Sequence, residues 1–187
     1  MRNCVCAFLV VSLLSIGPAL ARTMWVKGNI HTHTTESDGD ASPQAVADWY
    51  STRGYDFLMI TDHNKLTDPA KIKCREGFLL IPGEEVSDGY SGTPIHVNAL
   101  GIDKPLPPTG GTSRLDVMRK NVQMIVDAGG LAMVNHPNWH YALSAAHLSR
   151  AGQCNLFEIA NFSTGCNNEG DAEHPSLEVV WDDVLTQ

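Results

Sequence analysis

Two histidines one residue apart, His31 and His33, are followed five residues later by Asp38. They read as the end of a strand opening into polar, Gly-containing chain. Alternate residues of a strand share a face, so both imidazoles can reach one ion. Two imidazoles and a carboxylate converging there are ligands for zinc, manganese or iron. One such pair is weak, but the chain repeats the arrangement. The apolar run 57–61 ends in Asp62-His63-Asn64, the run 78–82 in Gly83-Glu84-Glu85, and the run 131–135 in His136, while His96 lies inside the alternating stretch 94–100. In four of these five segments the candidate ligand follows the apolar stretch. Active sites of α/β barrels and open parallel sheets are built at the carboxyl ends of strands. Any one of these histidines alone reads as a hydrogen-bonded structural residue; together they predict a metal centre.

Helices must separate those strands. Ser42-Pro43 starts one, with Val46, Ala47, Trp49 and Tyr50 as its apolar positions and Gly54 ending it. Thr112 or Ser113 starts a second, whose face is Leu115, Met118, Val122, Ile125 and Val126, ended by Gly129-Gly130; Asp116 falls off that face. A third, shorter helix is expected over 142–150. A fourth begins after Ser176, with Leu177, Val180, Trp181 and Val184 on one face. Such alternation predicts a parallel sheet of five to six strands in an α/β fold.

Residues 1–21 read as a secretory signal peptide: a positive start at Arg2, an apolar stretch and Ala19-Leu20-Ala21 as the cleavage site. Gly17-Pro18 argues against a stable membrane anchor. The remainder, 22–187, is one domain in a secreted or periplasmic protein. Cys74, Cys154 and Cys166 then remain, and Cys154 with Cys166 is the expected disulfide. The formal net charge of −8, without a run of Lys or Arg, argues against nucleic acid as a partner.

The ordered segments HTHTTESDG, ITDHN, IPGEE, HVNALGID and NHPN resemble the motifs of the PHP family, the polymerase-and-histidinol-phosphatase metallohydrolases, over about residues 26–183. The resemblance implies a distorted (β/α)7 barrel, two or three divalent metal ions, and hydrolysis of phosphate esters. Matched motif by motif, it implies His31 and His33 on a first metal, Glu85 as the bridging carboxylate rather than Glu84, His96 and His136 completing a second metal, and Asp38 with His63 at a third position. Asp62 would orient a ligating imidazole, and His63, His140 or a metal-bound water could protonate a leaving group. Asp62 and His63 are therefore the candidate catalytic groups. The family's closing Asp-x-His pair has no match after His136; Asp171-Ala172-Glu173-His174 sits in polar chain and reads as a surface loop. The expectation is a barrel that stops before its last strand.

Metal-activated water attacking a small-molecule phosphoric monoester or diester is the leading reading. The same centre could act on a carboxyl or carbamate ester, and a non-catalytic, truncated remnant is the remaining alternative.

Overall fold

The computed structural model describes residues 23–186; the expected leader and its cleavage site lie outside the described residues. Six strands form one curled sheet in chain order, β1 (Gly28–Asn29), β2 (Phe57–Ile60), β3 (Leu79–Tyr90), β4 (Thr93–Leu100), β5 (Leu131–Val134) and β6 (Leu156–Phe157). The sheet is mixed, which corrects the parallel sheet expected from the sequence. β1, β2 and the start of β3 run parallel, as do β5 and β6, but β4 is antiparallel to both its neighbours. The cause is local. β3 continues through the Gly-Glu-Glu segment to Tyr90, and Ser91-Gly92, both at positive φ (50° and 79°), turns the chain straight back into β4. Two successive residues at positive φ match the twist of a tight hairpin.

Helix α1 (Pro43–Thr52) is capped by the Ser42 hydroxyl, which accepts from the Ala45 N–H, and α2 (Arg114–Asp127) by Ser113, which accepts from Asp116. Both begin where the sequence places them. The third expected helix shrinks to α3 (Ala145–Leu148), because residues 139–141 form a 3₁₀ turn with His140 at φ 52°. Helix α4 (Leu177–Thr186) buries Leu177 and Val180, while Trp181 stays half exposed. Trp49, expected on the buried face of α1, also lies outward, under the Arg53 guanidinium. Among the described residues no helix is long and apolar enough to cross a membrane.

Side chains alternate across the sheet and make two layers. Outward, Val86, Ile95, Val97, Ala99, Ala132 and Val134 pack against Val117, Met118, Val122 and Ile125 of α2. Leu58 and Ile60 meet Ala47 of α1 in a smaller cluster. Inward, Met59, Leu100 and Met133, with Ile30 and Ile81, form an apolar plug. The polar site is built beside that plug, by residues one to four positions away along the same stretches of chain.

Candidate metal centre

Glu85 is the hub. It faces inward from the middle of β3, fully buried, while its neighbour Glu84 faces the opposite side, as successive strand residues must. Glu84 accepts from the Leu106 N–H at 2.5 Å beneath the outer core, and burial raises its pKa. Five imidazoles surround the Glu85 carboxylate. His136 Nε2 (3.1 Å), His96 Nδ1 (3.2 Å) and His31 Nε2 (3.5 Å) lie on Oε1, and His63 Nδ1 (2.9 Å) and His33 Nε2 (3.2 Å) on Oε2. Burial alone would raise the Glu85 pKa, but the facing imidazoles outweigh it and hold it well below the usual range. For His31, burial disfavours the charged ring, yet Glu158 and Glu85 push its pKa up to about 10.

Two donor sets converge closely enough to hold a cation each: His31, Glu85 and His136, and His33, His63 and Glu85. The two histidines of the His-x-His pair fall into different sets, His31 Nε2 facing Oε1 of Glu85 and His33 Nε2 facing Oε2, with the two Nε2 atoms 3.1 Å apart. Asp38 closes the second set, with Oδ1 2.7 Å from His33 Nδ1 and Oδ2 3.4 Å from His63 Nε2. His96 joins through Oε1 of Glu85. The arrangement fits divalent ions: Glu85 Oε2 is wholly buried, no well-aligned hydrogen bond satisfies it, and the atoms around it are imidazole nitrogens.

Asp62 does not orient an imidazole. Its buried carboxylate accepts from the Thr34 N–H (2.7 Å) and from the hydroxyls of Thr34, Ser37 and Thr67, at 2.7 to 3.1 Å, and so fixes the loop that presents His33 and Asp38. Gly39 completes that loop; a Cβ there would come within 2.6 Å of the His33 carbonyl. The orienting carboxylate is instead Glu158, which sequence reasoning missed. Its Oε1 lies 2.9 Å from His31 Nδ1, its Oε2 accepts from the His136 N–H at 2.9 Å, and Asn161 Nδ2 donates to both oxygens. A proton on Nδ1 of His31 leaves Nε2 free to ligate. The signal was present, for Glu158 directly follows the short apolar strand β6, as His63 and His136 follow theirs. His136 itself sits at φ 26°, a left-handed conformation that costs energy and clusters at functional sites.

Beneath the centre, Asn135 Nδ2 donates to Glu85 Oε1 (2.7 Å) and Asn98 Oδ1 (2.8 Å), and Asn98 Nδ2 donates to the Ile30 carbonyl, tying β1, β3, β4 and β5 together. Above it opens a cleft of about 370 Å³, lined by the imidazoles, Asp38 and Glu85 on one side and by Trp139, Asn161, Ser163, Thr164 and Cys166 on the other. His140 is exposed and does not line that cleft. Asp171 and His174 pair at 2.8 Å in an exposed loop. Cys154 and Cys166 are free thiols, which corrects the expected disulfide: Cys154 Sγ contacts the Ala132 and Leu156 carbonyls at the sheet edge, while Cys166 is buried at the cleft.

No protein-family model matches the chain. It is 35% identical over 144 residues to the 5'-3' exoribonuclease Rnm of Escherichia coli, covering 74% of this chain and 48% of that protein. It is 33% identical over 82 residues to a 3',5'-nucleoside bisphosphate phosphatase of Chromobacterium violaceum, covering 42% of this chain and 29% of that one. In fold it matches a two-domain Bacteroides vulgatus protein containing a predicted PHP-like metal-dependent phosphoesterase, with a TM-score of 0.51 and 23% identity over 73% of this chain and 44% of that one. The fold and the ordered motifs are those of the PHP metallohydrolases. The chain spans about half the length, or less, of the curated relatives it matches. In this PHP fold every candidate ligand read from the motifs, from His31 to His136, reaches the one cleft.

Proposed function

We propose that this protein is a PHP-type phosphoesterase that hydrolyses a small phosphate ester, monoester or diester. One observation carries the reading: a buried carboxylate, Glu85, sits at the centre of five imidazoles, with an oxygen left without a hydrogen bond, at the floor of an open cleft. The relatives named bisphosphate phosphatase and exoribonuclease both cleave phosphate esters, which supports the same chemistry here.

Two ions, zinc, manganese or iron by donor type, would supply an acidified water as nucleophile and positive charge for the phosphoryl oxygens. Glu85 would hold one ion with His31 and His136 and the other with His33 and His63. Glu158 fixes the His31 ring, and Asp62 fixes the loop bearing His33 and Asp38. His63, partly exposed at the cleft, would hold its ion through Nδ1, beside Glu85, and keep Nε2 toward Asp38. We propose export through a leader at residues 1–21, supported by the apolar stretch and the Ala-Leu-Ala site. Metal-loaded protein should hydrolyse an aryl phosphate in preference to an aryl carboxyl ester, and Glu85→Ala should abolish that turnover. Faster cleavage of the carboxyl ester would overturn the assignment.

A further inference from the structure

We propose that the two ion positions are unequal: His31, Glu85 and His136 hold a lasting ion, whereas His33, His63 and Glu85 hold one that exchanges with solvent, so that turnover follows the supply of free divalent cation. The proposal rests on the phosphoesterase reading and names a regulation of that site. The two sets differ first in burial. The His31 and His136 side chains are 9% and 10% exposed, against 20% and 29% for His33 and His63. Asp38, which closes the second set, is 67% exposed. They differ next in what stands behind each ligand. Glu158, itself largely buried, meets His31 Nδ1 and accepts from the His136 N–H, so one carboxylate braces both imidazoles of the first set. Asn135 donates to Glu85 Oε1, the oxygen this set uses, and the same amide is held by Asn98 Oδ1. Behind the second set the bracing is thinner. Glu85 Oε2 accepts no well-aligned hydrogen bond, His33 Nδ1 faces the exposed Asp38, and His63 Nδ1 has the neutral Ser87 hydroxyl at 2.5 Å.

Ligands fixed before an ion arrives lose less freedom on binding it. An outer partner is worth roughly 10–100-fold in metal affinity, so Glu158 and Asn135 together give the first set an advantage of about 100-fold or more. Donor type separates the sets as well. Three imidazoles, those of His31, His96 and His136, meet at Glu85 Oε1, an arrangement that suits zinc. The second set adds the Asp38 carboxylate, whose oxygens also suit manganese.

The test is calorimetric titration of metal-free protein with zinc and with manganese, joined to elemental analysis after dialysis against a weak chelator. Zinc should fill two classes of site, one ion each, with Kd values about 100-fold or more apart, and dialysis should remove one ion per chain and leave the other. Asp38→Asn should weaken the second class by roughly tenfold or more and leave the first within about twofold. Glu158→Gln should do the reverse. Asp38 lies at the surface, so its variant reads the second class in folded protein whatever Glu158→Gln does to stability. Turnover of phenyl phosphate by protein holding one ion should rise with added manganese in step with occupancy of the second class. A single class of two equal sites, loss of both ions together on dialysis, or an Asp38→Asn effect shared equally by both classes would overturn the inequality. Turnover that ignores occupancy of the second class would overturn the regulation. Two unequal classes without phosphate turnover at any loading would leave the inequality standing and sink the phosphoesterase reading.

Discussion

The two walls of the cleft are built by opposite means. The wall bearing the ligand set is tied to strand pairing: Glu85 and His96 lie inside a hairpin whose ladder runs from Gly83–Leu100 to Tyr90–Thr93, His63 bridges to Glu85, and His31 and His136 come two residues after the ends of β1 and β5. The facing wall follows a strand of only two residues, β6, and is held by side chains gripping backbone: Asn138 on the Asn167 and Pro175 carbonyls, Asn167 on Asn138, and Asn168 on Asn161. Ladder-held groups keep the sub-ångström geometry that metal chemistry needs, whereas loops tolerate the sequence change through which specificity is adjusted. The ligand set thus leans on strand pairing and the facing wall on side-chain grips, with Glu158 as the tie between them.

The largest expected effect is on the strand wall. Glu85→Ala should lower metal affinity by at least about 100-fold, more than removing a supporting partner does. Glu84→Ala, on the other face, should leave metal content within about twofold, and elemental analysis showing equal losses would collapse the division between faces. Next comes the tie: Glu158→Ala should cost roughly 10–100-fold in metal affinity by freeing His31 and the His136 amide. Unchanged affinity would show that the loop wall does not support the centre. Gly39→Ala should destabilise the protein by about 1–3 kcal/mol, because its methyl must displace the His33 backbone. Thermal unfolding that matches wild type would show that the loop gives way freely.

The smallest effect probes the scaffold alone. Burial would raise the Asp88 pKa, but Asn121 and the Gly89 and Gly110 amides outweigh it and lower it. Its stabilising contribution is therefore present above the ordinary carboxylate pKa and lost as pH falls through the lower folded value. Asp88→Asn should cost about 1 kcal/mol at neutral pH and remove that acid-side loss, with metal content unchanged. Denaturant melts at pH 7 and pH 3 that show the same difference between variant and wild type would contradict it.

The caps at Ser42 and Ser113 and the clustering of the motif residues were legible because each depends on a few adjacent residues. The antiparallel β4 was not, since Pro82-Gly83 reads as a strand end and the turn at Ser91-Gly92 lies nine residues further on. Nor was the role of Glu158 legible: the spacing rule that marks His63 and His136 marks it too, but only folding brings it to His31. Asp62 misled for the converse reason. It adjoins His63 in sequence, and its hydroxyl donors come from the loop after β1 and from Thr67 in its own loop.

The order of the strands also orders the assembly of the centre. Glu85 and His96 are 11 residues apart and meet as the hairpin closes, whereas His31 and Glu158 are 127 apart. The entropy of loop closure makes the second contact about 2 kcal/mol costlier to form first. Folding should therefore begin at the hairpin and finish where His31 meets Glu158, so that the affinity of the cleft for an ion matures only when the two distant ends of the sheet have been joined.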